Sequence, residues 1–150
     1  MSVAFRRESD DEHLEPRFEL PIPPGPNLVT PRGLALIEAR VAELEAQAAA
    51  TAEPTLADIR RTLRYWRQRL ATAQPAPPPH DGEVGFGSRV TLSLAGRRRT
   101  VTIVGEDEAE PAAGLLAISS PLAQALIGAG EGDRAAFGGK ADAIEIIAIG

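Results

Sequence analysis

Two periodicities divide the chain. Between Leu34 and Leu70 apolar residues recur in alternating steps of three and four, whereas from Ser88 to Ile149 they mostly alternate with polar residues. The first pattern comprises Leu34, Ile37, Val41, Leu44 and Ala48, then Leu56, Ile59, Leu63, Trp66 and Leu70. Such stepping places one apolar stripe on each of two helices. Thr30 is a suitable N-cap and Pro31 suits the first helical position. Pro54 cannot continue a helix, so it separates the two series. Thr55 with Asp58 resembles a capping box, with Asp in place of the usual Glu. The expectation is an antiparallel helical hairpin, a short coiled coil. Each arm is about 18 residues, or ~27 Å at 1.5 Å per residue.

The second pattern predicts strands. Ser88–Leu94 and Arg99–Val104 form a hairpin around an Ala95-Gly96 turn, with Arg97-Arg98-Arg99 read as part of that turn running into the second strand. Leu115–Ser119 is a third strand. Ser120 caps and Pro121 opens a short helix with Leu122, Ala125 and Leu126 on its apolar face, and Gly128 provides a left-handed end. Ala135–Phe137 and Asp142–Ile149 are the last strands. The fold class is therefore α+β: an N-terminal helical hairpin followed by a β-sheet domain with one short helix.

Proline marks the boundaries. Residues 1–29 mix charge with Pro21, Pro23, Pro24 and Pro26, and are expected to be an extended, flexible arm whose Phe18, Leu20 and Ile22 could latch onto the domain or a partner. The hairpin occupies 30–74, a stiff Pro-rich linker 75–83, and the β-rich domain 84–150.

Composition narrows the function. The net charge of −5 and aromatic content of 4% disfavour a nucleic-acid-binding chain with stacking platforms. The absence of cysteine excludes disulfides and thiolate zinc sites and fits a reducing cytoplasm. Residues 1–10 lack the apolar core of a secretory signal, and no apolar run approaches the roughly 18 residues of a membrane span. His13 and His80 are isolated, so no metal or cofactor site is expected.

Residues 84–149 resemble the C-terminal domain of the Gre family of bacterial transcription factors. The resemblance rests on five pieces in order: Phe86-Gly87-Ser88, Gly105-Glu-Asp-Glu-Ala109, Ser120-Pro-Leu-Ala123, Ala125-Leu-Ile-Gly128 and Gly132-Asp133. Thr30-Pro31-Arg32-Gly33 is similar to the opening of the family's coiled coil. The resemblance implies an FKBP-like domain that docks at the rim of the RNA polymerase secondary channel, with Ser120, Pro121 and Leu122 as docking candidates.

The chain departs from the family at the hairpin tip, where an acidic Asp-Leu-Ser-Glu-Asn-Ala-Glu-Tyr octapeptide is missing. Family tips of that kind help hold a catalytic magnesium, for which carboxylates are suitable hard ligands. This tip offers Glu53 and Asp58. Glu53 is read by default as a solvated turn residue and Asp58 as the acid of a first helical turn. The second helix carries a basic stripe of Arg60, Arg61, Arg64, Arg67 and Arg69. It can pair with Glu38, Glu43 and Glu45 of the first helix, or face acidic protein or nucleic acid.

These features point to a cytoplasmic, monomeric, non-enzymatic regulator that binds RNA polymerase at the secondary channel without stimulating transcript cleavage, with at most indirect contact to nucleic acid. The alternatives are a true cleavage factor with an atypical tip, a nucleic-acid module using the arginine stripe, and a prolyl isomerase. For the last, an aromatic-lined pocket would have to be built from Phe86 and Phe137 alone.

Overall fold

A computed structural model describes residues 19–150. The expectations for residues 1–18, including the Phe18 latch and His13, lie outside the described residues. The elements run β1 (Asn27–Val29), α1 (Pro31–Ala50), α2 (Thr55–Thr72), β2 (Ala73–Pro75), β3 (Arg89–Leu94) and β4 (Arg97–Val104). A single 3-10 turn at Pro111–Ala113 follows, then β5 (Leu115–Ala117), α3 (Pro121–Leu126), β6 (Arg134–Phe137) and β7 (Lys140–Ile149).

Helices α1 and α2 pack through Val41, Leu44 and Leu63, with Ile59, Trp66 and Leu70 half-buried around them. These are the residues of the two stepped series. The Thr30 side chain accepts a hydrogen bond from the Gly33 amide and Pro31 opens α1, as the cap pattern predicts. The other cap differs. Pro54 is the N-cap of α2 and no side chain bonds there, so Thr55 lies inside the helix and forms no capping box.

The strand pattern is realised with shifts of one or two residues. Arg97, Arg98 and Arg99 lie within β4, opposite Leu94, Ser93 and Leu92, rather than in the turn. Ala95 and Gly96 alone make that turn, both at positive φ, which suits a tight two-residue hairpin. The five strands are ordered β5-β4-β3-β7-β6, antiparallel except for the parallel pair β4 and β5. One face buries Val90, Leu92, Val101, Ile103, Ile144 and Ile146 against Leu122, Ala123 and Leu126 of α3.

Two short strands fall in segments read as the arm and as the junction of hairpin and linker. β1 and β2 pair in parallel, Asn27 beside Ala73 and Val29 beside Pro75. They tie together the chain entering α1 and the chain leaving α2. Pairing of residues this far apart in sequence leaves no local pattern, and Pro75 reads as a strand breaker.

Leu126 is fully buried where α3 meets the sheet. Leu126→Ala is expected to cost about 2–5 kcal/mol through lost burial and the cavity left behind. The shift in urea unfolding midpoint measures it.

Candidate interdomain and docking site

The loop after β4, Gly105-Glu106-Asp107-Glu108, places two neighbouring carboxylates in the base of the hairpin. Asp107 serves α2. Its Oδ2 accepts from Arg69 Nε at 2.6 Å and its Oδ1 from the Tyr65 hydroxyl at 2.5 Å. Tyr65 and Arg69 are four residues apart, so they share one helix face. Arg69 is among the most deeply buried side chains, only 2% exposed. A buried guanidinium needs both an opposite charge and filled hydrogen bonds. Asn27 of β1 helps to supply them. Its Oδ1 accepts from Arg69 Nη2 at 2.8 Å, while its Nδ2 donates to the Arg69 carbonyl at 2.8 Å. The second bond satisfies a carbonyl in the last turn of α2 that has no partner within the helix.

Glu108 serves α1. Its Oε1 accepts from the Thr30 hydroxyl at 2.5 Å and its Oε2 from Arg32 Nη1 at 2.8 Å, and its side chain is 4% exposed. The first turn of α1 has no acidic residue of its own. Glu108 therefore brings to that helix N-terminus the negative charge its dipole favours. Two glycines make the approach possible. A Cβ on Gly33 would stand 2.7 Å from Glu108 Oε1, and one on Gly105 would stand 2.3 Å from the Leu28 carbonyl oxygen. The Thr-Pro-Arg-Gly and Gly-Glu-Asp-Glu segments, separate in sequence, are thus the two halves of one contact.

Tyr65 is half-buried, and desolvation together with its bond to Asp107 pushes its hydroxyl up to about 12. With the folded value above the ordinary value near 10, the protonated phenol supports the fold fully below pH 10. That support is lost as pH rises from about 10 to 12. Tyr65→Phe is expected to flatten this part of the stability-versus-pH curve.

The residues singled out from sequence are dispersed. Ser120 caps α3, accepting from the Ala123 amide at 3.3 Å. Pro121 is exposed, but Leu122 is buried against the sheet. The Leu122 side chain thus packs into the core and, unlike Pro121, is not presented at the surface. The apolar surface of this corner comes from Pro121 and from Ile127, which is 40% exposed.

At the tip, Glu53 and Asp58 both face arginines, Arg60 at 3.7 Å and Arg61 at 3.2 Å. Among the described residues no cluster of three or more potential metal ligands occurs. The rest of the stripe is also paired: Arg64 with Glu19, Arg67 with Glu45 across the hairpin, and Arg69 with Asp107. Arg69 thus leaves the surface stripe altogether. Its spacing could have shown this, since it lies one turn beyond Tyr65 and beside the apolar seam. The carboxylates that receive it and Thr30 could not be matched to them by spacing.

Asp107→Ala leaves the buried Arg69 charge without its counter-ion and is expected to destabilise by about 3–5 kcal/mol. Glu108→Gln keeps the shape but removes the charge, and about 1–2 kcal/mol is expected. Urea denaturation followed by circular dichroism measures both.

Residues 78–150 match the family model described as transcription elongation factor, GreA/GreB, C-term. Transcription elongation factor GreA of Ralstonia nicotianae is 46% identical over 72 residues, covering 45% of this chain and 46% of that protein. GreA of Nitratiruptor sp. is 42% identical over 88 residues, 55% of this chain and 53% of that protein. The chain thus aligns with about half the length of these curated relatives. The crystal structure of GreA factor homolog 1 of Thermus thermophilus superimposes with a TM-score of 0.40 at 18% identity, over 84% of this chain and 99% of that one.

Proposed function

We propose, from a C-terminal half that belongs to the GreA/GreB transcription elongation factor family, that this chain is an RNA polymerase-binding transcription regulator. Its GreA/GreB-type domain docks at the rim of the secondary channel and its hairpin points into the entrance. The observation that carries the reading is the match of residues 78–150, joined to a hairpin held at its base by Asp107 and Glu108. A hairpin gripped in this way is presented in one direction, as a factor reaching into a channel requires.

The finer reading is that the chain occupies the channel without stimulating transcript cleavage. Glu53 and Asp58 are each engaged by an arginine, and a carboxylate facing a cation is a weaker ligand for Mg²⁺. The arms of 20 and 18 residues reach about 27–30 Å. A direct nucleic-acid-binding role has less support, because every arginine of the α2 stripe meets a carboxylate.

Docking is assigned to the Ser120-Pro121 corner and its neighbour Ile127. Pro121→Asp puts an acid in the first turn of α3, where it is tolerated by the helix. It is expected to lower retention on immobilised core RNA polymerase by about tenfold, roughly the 1.4 kcal/mol of one good apolar contact, with unchanged thermal stability. Retention equal to the parent chain removes the corner from the interface. On stalled elongation complexes no cleavage above the polymerase background is expected. Strong cleavage abolished by Glu53→Ala or Asp58→Ala overturns the non-cleaving reading while leaving the docking reading intact.

A further inference from the structure

The described chain does not begin at β1. Residues 19–22 lie beside α2. Glu19 makes a two-pronged ion pair with Arg64, Oε1 to Nε at 2.6 Å and Oε2 to Nη2 at 2.8 Å. Leu20 and Ile22 border a cleft of about 290 Å³, walled on α2 by Arg61, Arg64, Tyr65 and Gln68.

Three features distinguish this segment from an ordinary packed strand. Glu19 and Arg64 are each more than half exposed, at 59% and 56%. Exposed pairs of this kind contribute little to stability. Leu20 and Ile22 remain 38% and 44% exposed, so little apolar surface holds them. The cleft between strap and helix is left partly unfilled. The segment is therefore seated by charge and shape but bound weakly.

We propose that this face of α2 is a binding site for an extended peptide in which a carboxylate precedes apolar residues, and that Glu19–Ile22 is its intramolecular occupant. The recognition chemistry is that of the seated segment. Arg64 presents a fixed fork to a carboxylate, with Arg61 beside it, and the Tyr65 ring and Gln68 side chain line the cleft that takes the following apolar residues. A partner protein carrying such a segment displaces the strap. Because the chain is tethered, the strap competes at an effective concentration on the order of millimolar, which keeps the site closed to weak or dilute ligands. Tyr65 links this face to the base of the hairpin, since its ring lines the cleft while its hydroxyl bonds Asp107. An occupant that fills the cleft therefore presses on the contact holding hairpin and sheet together. An acidic-apolar peptide is favoured over a phosphate backbone because the occupant on view is a peptide and two of its contacting side chains are apolar.

The test uses the isotope-labelled full chain and the synthetic peptide Glu19–Pro26 added in trans, with backbone amide shifts of Arg61, Arg64, Tyr65 and Gln68 as the readout. In the parent chain the strap competes with the peptide. Glu19→Arg sets the strap against Arg64 and opens the site, so the peptide is expected to bind about tenfold more tightly than to the parent. Adding Arg64→Glu re-forms the pair with reversed charge, and the peptide should no longer bind. A short single-stranded oligothymidine serves as the competing chemistry. Equal peptide affinity in parent and Glu19→Arg chains, binding that survives Arg64→Glu, or shifts produced by the oligonucleotide and not by the peptide each overturn the proposal.

Discussion

One buried arginine sets the terms for the molecule. Arg69 is in the last turn of α2, where a cation suits the helix dipole, yet it is almost wholly removed from water. Desolvating a guanidinium costs several kcal/mol, and only a well-placed carboxylate with further hydrogen bonds offsets that cost. Asp107 and Asn27 come from two other parts of the chain and meet there. The position of α2 relative to the sheet, and of the strand entering α1, is thus constrained by a single charge that is stable in few arrangements. Glu108, next to Asp107, fixes α1 in the same stroke. Apolar packing within the hairpin is thin, with three buried side chains in its cluster, so the polar contact at its base matters more than it would in a larger helical bundle.

The parts of the fold that follow a local period were readable in the sequence. The stepped Leu, Ile and Val positions predict the hairpin, and the alternation from Val90 to Leu94 and from Val101 to Val104 predicts the central strands, because burial on one face dictates both patterns. The short helix was visible from Ser120 and Pro121. What escaped is long-range. Arg69 and Asp107 are 38 residues apart, and Thr30 and Glu108 are 78 apart. Nothing in the spacing of either partner names the other. Leu122 illustrates a second limit: the Ser-Pro-Leu motif does not reveal that this side chain is buried in the core. The β1–β2 pairing failed to register because proline-rich segments read as linkers even when they supply the few hydrogen bonds that a parallel pair at an edge requires.

The charge distribution is reorganised by folding. In sequence, α2 carries a basic stripe that can pair with the glutamates of α1 or face acidic protein or nucleic acid. In the folded chain its arginines are shared among the hairpin tip, the first helix, the N-terminal strap and the acidic loop. The glycines at positions 33 and 105 show why the acidic loop tolerates little change. Each lets a backbone or carboxylate oxygen approach where a Cβ would collide. The sheet domain and a short hairpin are thereby joined as a unit, with the base of the hairpin held against the sheet.

Spin labels at Ala52 in the hairpin turn and at Gln124 on α3, read by pulsed dipolar spectroscopy, address that attachment. One narrow distance distribution is expected in the parent chain, broadening in the Asp107→Ala, Glu108→Ala double variant while helix content persists. A broad distribution in the parent, or an equally narrow one in the variant, would contradict the view that these two carboxylates hold the hairpin in place.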